Sequence, residues 1–253
     1  MNVSHLLLAA LLLGMTGMAH AEGTPVADSG RFVFREIKLG AATHRYAVWL
    51  PPGHAAQKHW PALVFLHGSG ECGTDGVKQT HVGLPAWLVK QPERWPFVVV
   101  MPQKPVEEQE WEEQEALVRA TLEASTKEFG IDAKRVALTG MSQGGHGAWY
   151  LGARDSARWR ALVPVCGYGR ARTVGKRVAG LPVWAFHGLK DDVVNPQDAR
   201  DIVAEIQRVR SARGLDPAGA KLTLYPDANH NSWDSAYSEP ELPGWLIEHT
   251  RAR

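Results

Sequence analysis

Apolar positions follow two rhythms along this chain. ALVFLHG, FVVVMPQ, RVALTGM, ALVPVCG and PVWAFHG are short and apolar on consecutive positions, and each ends at or beside a glycine or proline. Runs of this kind read as strands buried on both faces. RFVFREIKL and HRYAVWLPP, which come first, read as an antiparallel opening pair, and KLTLYPD reads as a late strand. The second rhythm has the 3.6-residue period. EEQEALVRATLEASTKEFG is an amphipathic helix with a glycine stop, and PQDARDIVAEIQRVRSARG is a helix with proline near its start. HGAWYLGARDSARW and the closing PELPGWLIEHTRAR are also helical. Buried strands alternating with helices predict an α/β fold: a mostly parallel sheet with helices on both faces. Sites in such sheets form where loops leave the carboxyl ends of the strands. The pattern holds no internal repeat, low-complexity tract or domain linker. Residues 167–181 are too few to hold a large cap domain.

Composition refines this picture in a few places. Residues 1–21 carry an apolar run at 6–13 and end in Ala19-His20-Ala21, a small-x-small cleavage site. They read as a secretory signal peptide, which places the mature chain outside the cell or in the periplasm. The run is too short to span a bilayer comfortably, so stable membrane insertion of the mature chain is not expected. Residues 22–253 are enough for one large domain with a substantial core. There are 28 Lys+Arg against 27 Asp+Glu, so no nucleic-acid footprint is indicated. The two cysteines, Cys72 and Cys166, do not make a disulfide framework and read as two thiols rather than a bridge.

The chemistry centres on Gly140-Met141-Ser142-Gln143-Gly144. This is G-x-S-x-G between a strand and a helix, the context of a nucleophile elbow. The turn is sharp, so the positions flanking the serine by two residues need glycine. A serine hydroxyl is a weak nucleophile at neutral pH and needs a base with an orienting carboxylate. The expected chain order is Ser, then Asp or Glu, then His. Asp191 follows PVWAFHG and His230 follows KLTLYPD, so Ser142, Asp191 and His230 are the candidate catalytic residues. Asp191 is preferred over its neighbour Asp192, and Asp227 and Asp234 are weaker candidates. His67 and His187 read as structural, and His146 as a local packing or capping residue. The oxyanion hole is expected from the backbone N–H of Gln143 together with that of Ser69 or Gly70 in HGSGECG. Glu71 is expected to pin that loop. Trp111, Tyr168 and Trp233 are candidate walls of a substrate pocket. The basic stretch after Tyr168, with Arg170 and Arg172, suggests anionic substrates.

FLHGSGECGTD, MPQKP followed by Trp111, IDAKRVALTGMSQGG, PVCGYG, VWAFHGLKDDVV and ANHNSW together resemble secreted single-domain α/β-hydrolase esterases. The resemblance is to the group labelled phospholipase/carboxylesterase, predicted peptidase or dienelactone-hydrolase-like. Polyhydroxybutyrate depolymerases and feruloyl esterases are more distant kin. It covers residues 32–245. It implies a serine carboxylesterase with Ser142, Asp191 and His230 as its triad, small-molecule or polymer-linked ester substrates, and no metal or organic cofactor. Cys72 stands where a basic or polar residue is expected, which raises the question of a bridge to Cys166, and Asn195 stands where proline is expected. Two other readings compete: a serine peptidase of the same fold, and a non-catalytic binding protein on a hydrolase fold. The triad parts do not separate ester from amide hydrolysis. Known peptidases of this fold carry a large access-restricting domain for which this chain has no room.

Overall fold

The computed structural model describes residues 29–252. The signal-peptide reading of residues 1–21 falls outside that range. Eight strands form one sheet: β1 (Arg31–Leu39), β2 (Ala42–Leu50), β3 (Trp60–Leu66), β4 (Val98–Pro102), β5 (Ile131–Met141), β6 (Leu162–Val165), β7 (Val183–Gly188) and β8 (Ala220–Tyr225). Their spatial order is β1-β2-β4-β3-β5-β6-β7-β8. β1 and β2 are antiparallel, as the sequence predicts, and β2 meets β4 antiparallel. From β4 onward every pairing is parallel. This is the α/β-hydrolase fold.

The consecutive apolar runs are explained by the two layers of helix. Side chains alternate across a strand. In β3, Ala62, Val64 and Leu66 face one core, and Leu63 and Phe65 face the other. The first core is closed by α2 (Glu115–Phe129), α3 (Gln143–Arg154), α4 (Ala171–Val178) and α5 (Pro196–Ala212). The second is closed by α1 (Leu84–Lys90), α6 (Trp233–Ser238) and α7 (Leu242–His249). Burying one large apolar side chain contributes about 1.5–3 kcal/mol, so both faces must be covered.

Three helices depart from the sequence reading. α1 is seven residues, LPAWLVK, apolar nearly all round, and shows no period. α6 lies where a loop is expected. The basic stretch after Tyr168 is a helix, α4, rather than a charged loop: Val174 and Val178, four apart, turn into the core beside Gly175. α4 alone fills the connection from β6 to β7. Among the described residues no cap domain stands over the sheet, and none of the helices is long and apolar enough to cross a membrane.

Candidate active site

β5 hands over to α3 at Ser142, which has φ 55° and ψ −122°. A non-glycine residue there carries strain of order 1–3 kcal/mol and persists only where its surroundings over-determine it. Two features hold it. The Ser142 N–H donates to the Val165 carbonyl at 3.0 Å and to Cys166 Sγ at 3.3 Å. Strand and helix cross with no space between them: a Cβ on Gly140 would lie 2.3 Å from the Gly144 carbonyl oxygen, and one on Gly144 would lie 1.9 Å from that of Leu66. The glycines thus allow the approach that lifts the serine above the sheet edge.

Because β3 and β5 to β8 are parallel neighbours, the loops that follow them leave one edge. His230, in the loop between β8 and α6, places Nε2 2.9 Å from Ser142 Oγ. Its Nδ1 lies 3.0 and 2.9 Å from the two carboxylate oxygens of Asp191, in the loop after β7. A carboxylate only accepts, so Nδ1 carries the proton and Nε2 is free to accept from the serine hydroxyl. Asp191 Oδ1 also accepts from the backbone N–H groups of Val193 and Val194, at 3.0 and 2.9 Å. Burial disfavours its charge, but the bonds from His230, Val194 and Val193 outweigh that and hold the carboxyl below its ordinary value.

The other carboxylate candidates are engaged elsewhere. Asp192 is exposed. Asp227 pairs with Lys190 at 2.7 Å, and Asp234 accepts from Asn231 at 3.0 Å.

The turn after β3 also reaches Ser142: a Cβ on Gly68 would lie 3.5 Å from Ser142 Cβ. Ser69, Ser142 and Gln143 line one open cavity of about 430 Å³, with Tyr168, Val193, Val194, Asn195 and Asp198. The backbone N–H of Gln143, first in α3, has no acceptor within its own helix. Ser69 and Gly70 are both exposed, but Gly70 stands outside that lining. The turn is fixed from beneath. His67 Nδ1–H donates to the Gly68 carbonyl at 2.6 Å, and its Nε2 accepts the Lys104 N–H at 2.9 Å. Burial pushes this imidazole down to about 4, so it is neutral at pH 7. Burial raises the Glu71 carboxyl, and the Glu71 backbone N–H donates to the Gly68 carbonyl at 3.4 Å. Lys104, itself wholly buried, donates through Nζ to the carbonyls of Val106 at 2.7 Å, Glu107 at 3.2 Å and Gln109. Gln143 Nε2 donates at 2.8 Å to the same Glu107 carbonyl.

The three expected pocket walls separate. Tyr168 lines the cavity at Ser142 and donates its hydroxyl to Glu110 at 2.5 Å. Trp233 meets the His230 ring edge-on, centroids 5.5 Å apart, and is not among the cavity's lining residues. Trp111 is no wall at all. It is fully buried, its indole N–H donates to the His67 carbonyl at 3.0 Å, and it packs against Gly147. It is a pillar under the turn after β3.

A second open cavity, about 570 Å³, shares Tyr168 and Asp198 with the first. Glu110, Glu112, Asp198 and Arg170 border it. Neither Arg170 nor Arg172 lines the cavity at Ser142, and Arg172 is absent from this second lining as well. His146 is stacked between Tyr150 and Tyr168, with ring centroids 4.2 and 4.3 Å away. Among the described residues, Glu110, Glu112 and His146 form a group whose ligand atoms lie within 4.8 Å of one another. Sequence reasoning gave no role to Lys104, although it lies in MPQKP, or to the two glutamates, whose spacing follows no motif.

Both cysteines are free thiols. Cys72 is half-buried, while Cys166 is buried under Ser142 with its thiol pushed up to about 12 by burial. The question of a bridge between them is answered: there is none.

The Dienelactone hydrolase family model matches residues 100–236, which include Ser142, Asp191 and His230. Among curated proteins, the bifunctional acetylxylan esterase/xylanase XynS20E of Neocallimastix patriciarum is 29% identical over 167 residues, covering 64% of this chain and 23% of that protein. Acyl-protein thioesterase 1 homolog 2 of Dictyostelium discoideum is 34% identical over 83 residues, covering 31% of this chain and 37% of that protein. The matches thus span well under half the length of these two relatives. Among solved structures, a thermostable esterase superposes with a TM-score of 0.71 at 25% identity, over 87% of this chain and 63% of that one. A feruloyl esterase module from Clostridium thermocellum superposes with a TM-score of 0.71 at 16% identity, over 91% and 93%. The second likeness is one of fold.

Proposed function

The chain belongs to the dienelactone hydrolase family, and on that premise we propose that it is a serine carboxylic-ester hydrolase working through an acyl-enzyme. The carrying observation is the continuous line from Ser142 Oγ through the His230 imidazole to the Asp191 carboxylate. Ser142 Oγ attacks the ester carbonyl while His230 Nε2 takes its proton. Asp191 keeps the imidazole in the required tautomer and stabilises the imidazolium. The backbone N–H groups of Gln143 and of Ser69 receive the negative oxygen; Gly70, which does not line the cavity, is the lesser candidate for the second donor. The intermediate collapses, His230 returns the proton to the leaving alkoxide, and the alcohol departs. Water then attacks the acyl-enzyme with the same imidazole as base, and the carboxylic acid is released. Every proton in this cycle is carried by His230, and none of the steps calls for a metal or organic cofactor.

The site is open, since α4 alone stands between β6 and β7, and this favours bulky or polymer-linked esters. The names of the acetylxylan esterase relative and the feruloyl esterase neighbour put acetylated and feruloylated sugars first in a substrate panel. The apolar run at 6–13 and Ala19-His20-Ala21 support export, which the N-terminal mass of the mature protein tests.

A fluorophosphonate probe should label Ser142 in wild-type protein and not in Ser142→Ala, whose ester turnover should fall about 10⁶-fold. Retention of a tenth of the activity in that variant overturns the reading.

A further inference from the structure

His187 sits in β7, one residue before its end, and is fully buried. Its Nε2 lies 3.0 Å from Asp191 Oδ2 and 3.1 Å from the Val194 carbonyl oxygen. Both are acceptors, so the proton is on Nε2. The other ring nitrogen, Nδ1, is then a lone-pair acceptor, and it is buried with no donor among the described residues. An unsatisfied buried polar atom destabilises the fold. An apolar ring would fill this space without that cost, so packing alone gives no reason for an imidazole here. What distinguishes histidine at this position is the hydrogen bond to Asp191.

That bond completes a set. Asp191 accepts from His230 Nδ1, from His187 Nε2 and from the N–H groups of Val193 and Val194. Four donors match the roughly four lone-pair sites of a carboxylate. His187 and His230 share one oxygen, Oδ2, at 3.0 and 2.9 Å. We propose that His187 is a positioning residue for the triad carboxylate: it fixes the rotation of Asp191 and draws on the charge of Oδ2, so that His230 faces a weaker acceptor than Asp191 alone would present. The inference rests on the serine-hydrolase reading above. Burial keeps the His187 imidazole neutral, against the pull of the Val194 carbonyl and Asp191. Besides His230 and His187, the Cys166 thiol, one residue past the end of β6, is close enough to interact electrostatically with the carboxylate. Asp192, Asp198 and the Lys190–Asp227 pair lie on the solvent side.

Two variants separate positioning from packing. His187→Phe fills the space without a donor. His187→Gln places an amide N–H near the position of Nε2. The readout is kcat/KM against pH for a p-nitrophenyl ester. In His187→Phe the acidic limb should move up by about half to one pH unit, because an undivided carboxylate holds the His230 proton more tightly. The plateau should fall about tenfold, since the imidazole is less well oriented. His187→Gln should return the limb to the wild-type position. A merely structural role lowers the amount of active protein and leaves the limb in place. An unmoved limb in His187→Phe, or a limb in His187→Gln displaced as far as in His187→Phe, overturns the proposal. Should His187→Phe fail to fold, ¹⁵N NMR of wild-type imidazoles decides: His187 must be neutral with its proton on Nε2 from pH 5 to 8, and an Nδ1–H tautomer or a titration in that range overturns it. If wild-type protein neither hydrolyses the ester nor takes the fluorophosphonate, it is the serine-hydrolase reading that fails, and the NMR tautomer still tests the His187–Asp191 bond.

Discussion

Ser142 Oγ and His230 Nε2 stand 2.9 Å apart although 88 positions separate them in the chain. The contact exists because β5 and β8 run parallel in one sheet, so the loops that follow them open on one edge. A hydroxyl hydrogen-bonded to an imidazole can pass its proton to that base as it attacks, which is what makes a serine a useful nucleophile.

Asp191→Asn should keep the fold, since an amide oxygen still accepts from Val193 and Val194, yet lose about 10⁴ in kcat because the His230 tautomer is no longer enforced. Asp192→Asn should change kcat by less than about threefold, as its side chain is exposed. Steady-state kinetics of the two variants side by side provides the check. Equal losses would show that the carboxylate assignment is wrong.

Gly144→Ala should be poorly tolerated. Its new methyl would lie 1.9 Å from a backbone carbonyl oxygen of β3, which no side-chain rotation relieves. A loss of at least about 3 kcal/mol is expected. For a chain of this size that lowers Tm by about 6–12 °C, measurable by calorimetry.

Lowering the pH should destabilise the protein through His67. Its folded-state value of about 4 lies below the ordinary 6.5. The unfolded chain therefore binds the proton first. The stability is fully present above about pH 6.5 and is lost as pH falls from there toward 4, by up to about 3 kcal/mol. Asp191 acts in a lower window, its carboxyl being held below the ordinary value. Denaturant unfolding at pH 7.5 and 4.5 should show the loss, and His67→Gln should flatten it between pH 6.5 and 4.5.

Lys104→Met should strip the donor from the carbonyls of Val106, Glu107 and Gln109. Buried acceptors left bare cost about 1–3 kcal/mol each. The loop that anchors the Gln143 side chain would loosen with them, so kcat should fall about tenfold along with Tm. Unchanged kcat in a variant of lowered Tm would separate this loop from the oxyanion side of the site.

Much of the architecture is legible before folding. The inner strands such as β3 and β4 were readable because burial on both faces demands unbroken apolar runs, and α2 and α5 because one buried stripe imposes the 3.6 period. Ser142 was legible because its turn requires glycine at fixed offsets, and Asp191 and His230 because they follow strand ends in the order such a sheet dictates. The short helices were harder. α1 is apolar on all sides, and α4 shows only Val174 and Val178 against a basic background.

The sequence by itself determined what is local or periodic: the strand–helix alternation, the elbow at Ser142, and the order of the candidate catalytic groups. Only the tertiary structure decided what lies between segments remote in the chain. It buried Trp111 beneath the turn after β3, brought Glu110, Glu112 and Asp198 into one cavity lining with Arg170, kept Cys72 and Cys166 apart, and placed His187 against Asp191. The physical reason is that periodicity records which face of an element is buried, whereas a hydrogen bond or a wall depends on which other element arrives there. That is fixed by sheet order and packing, and no spacing within one segment encodes it.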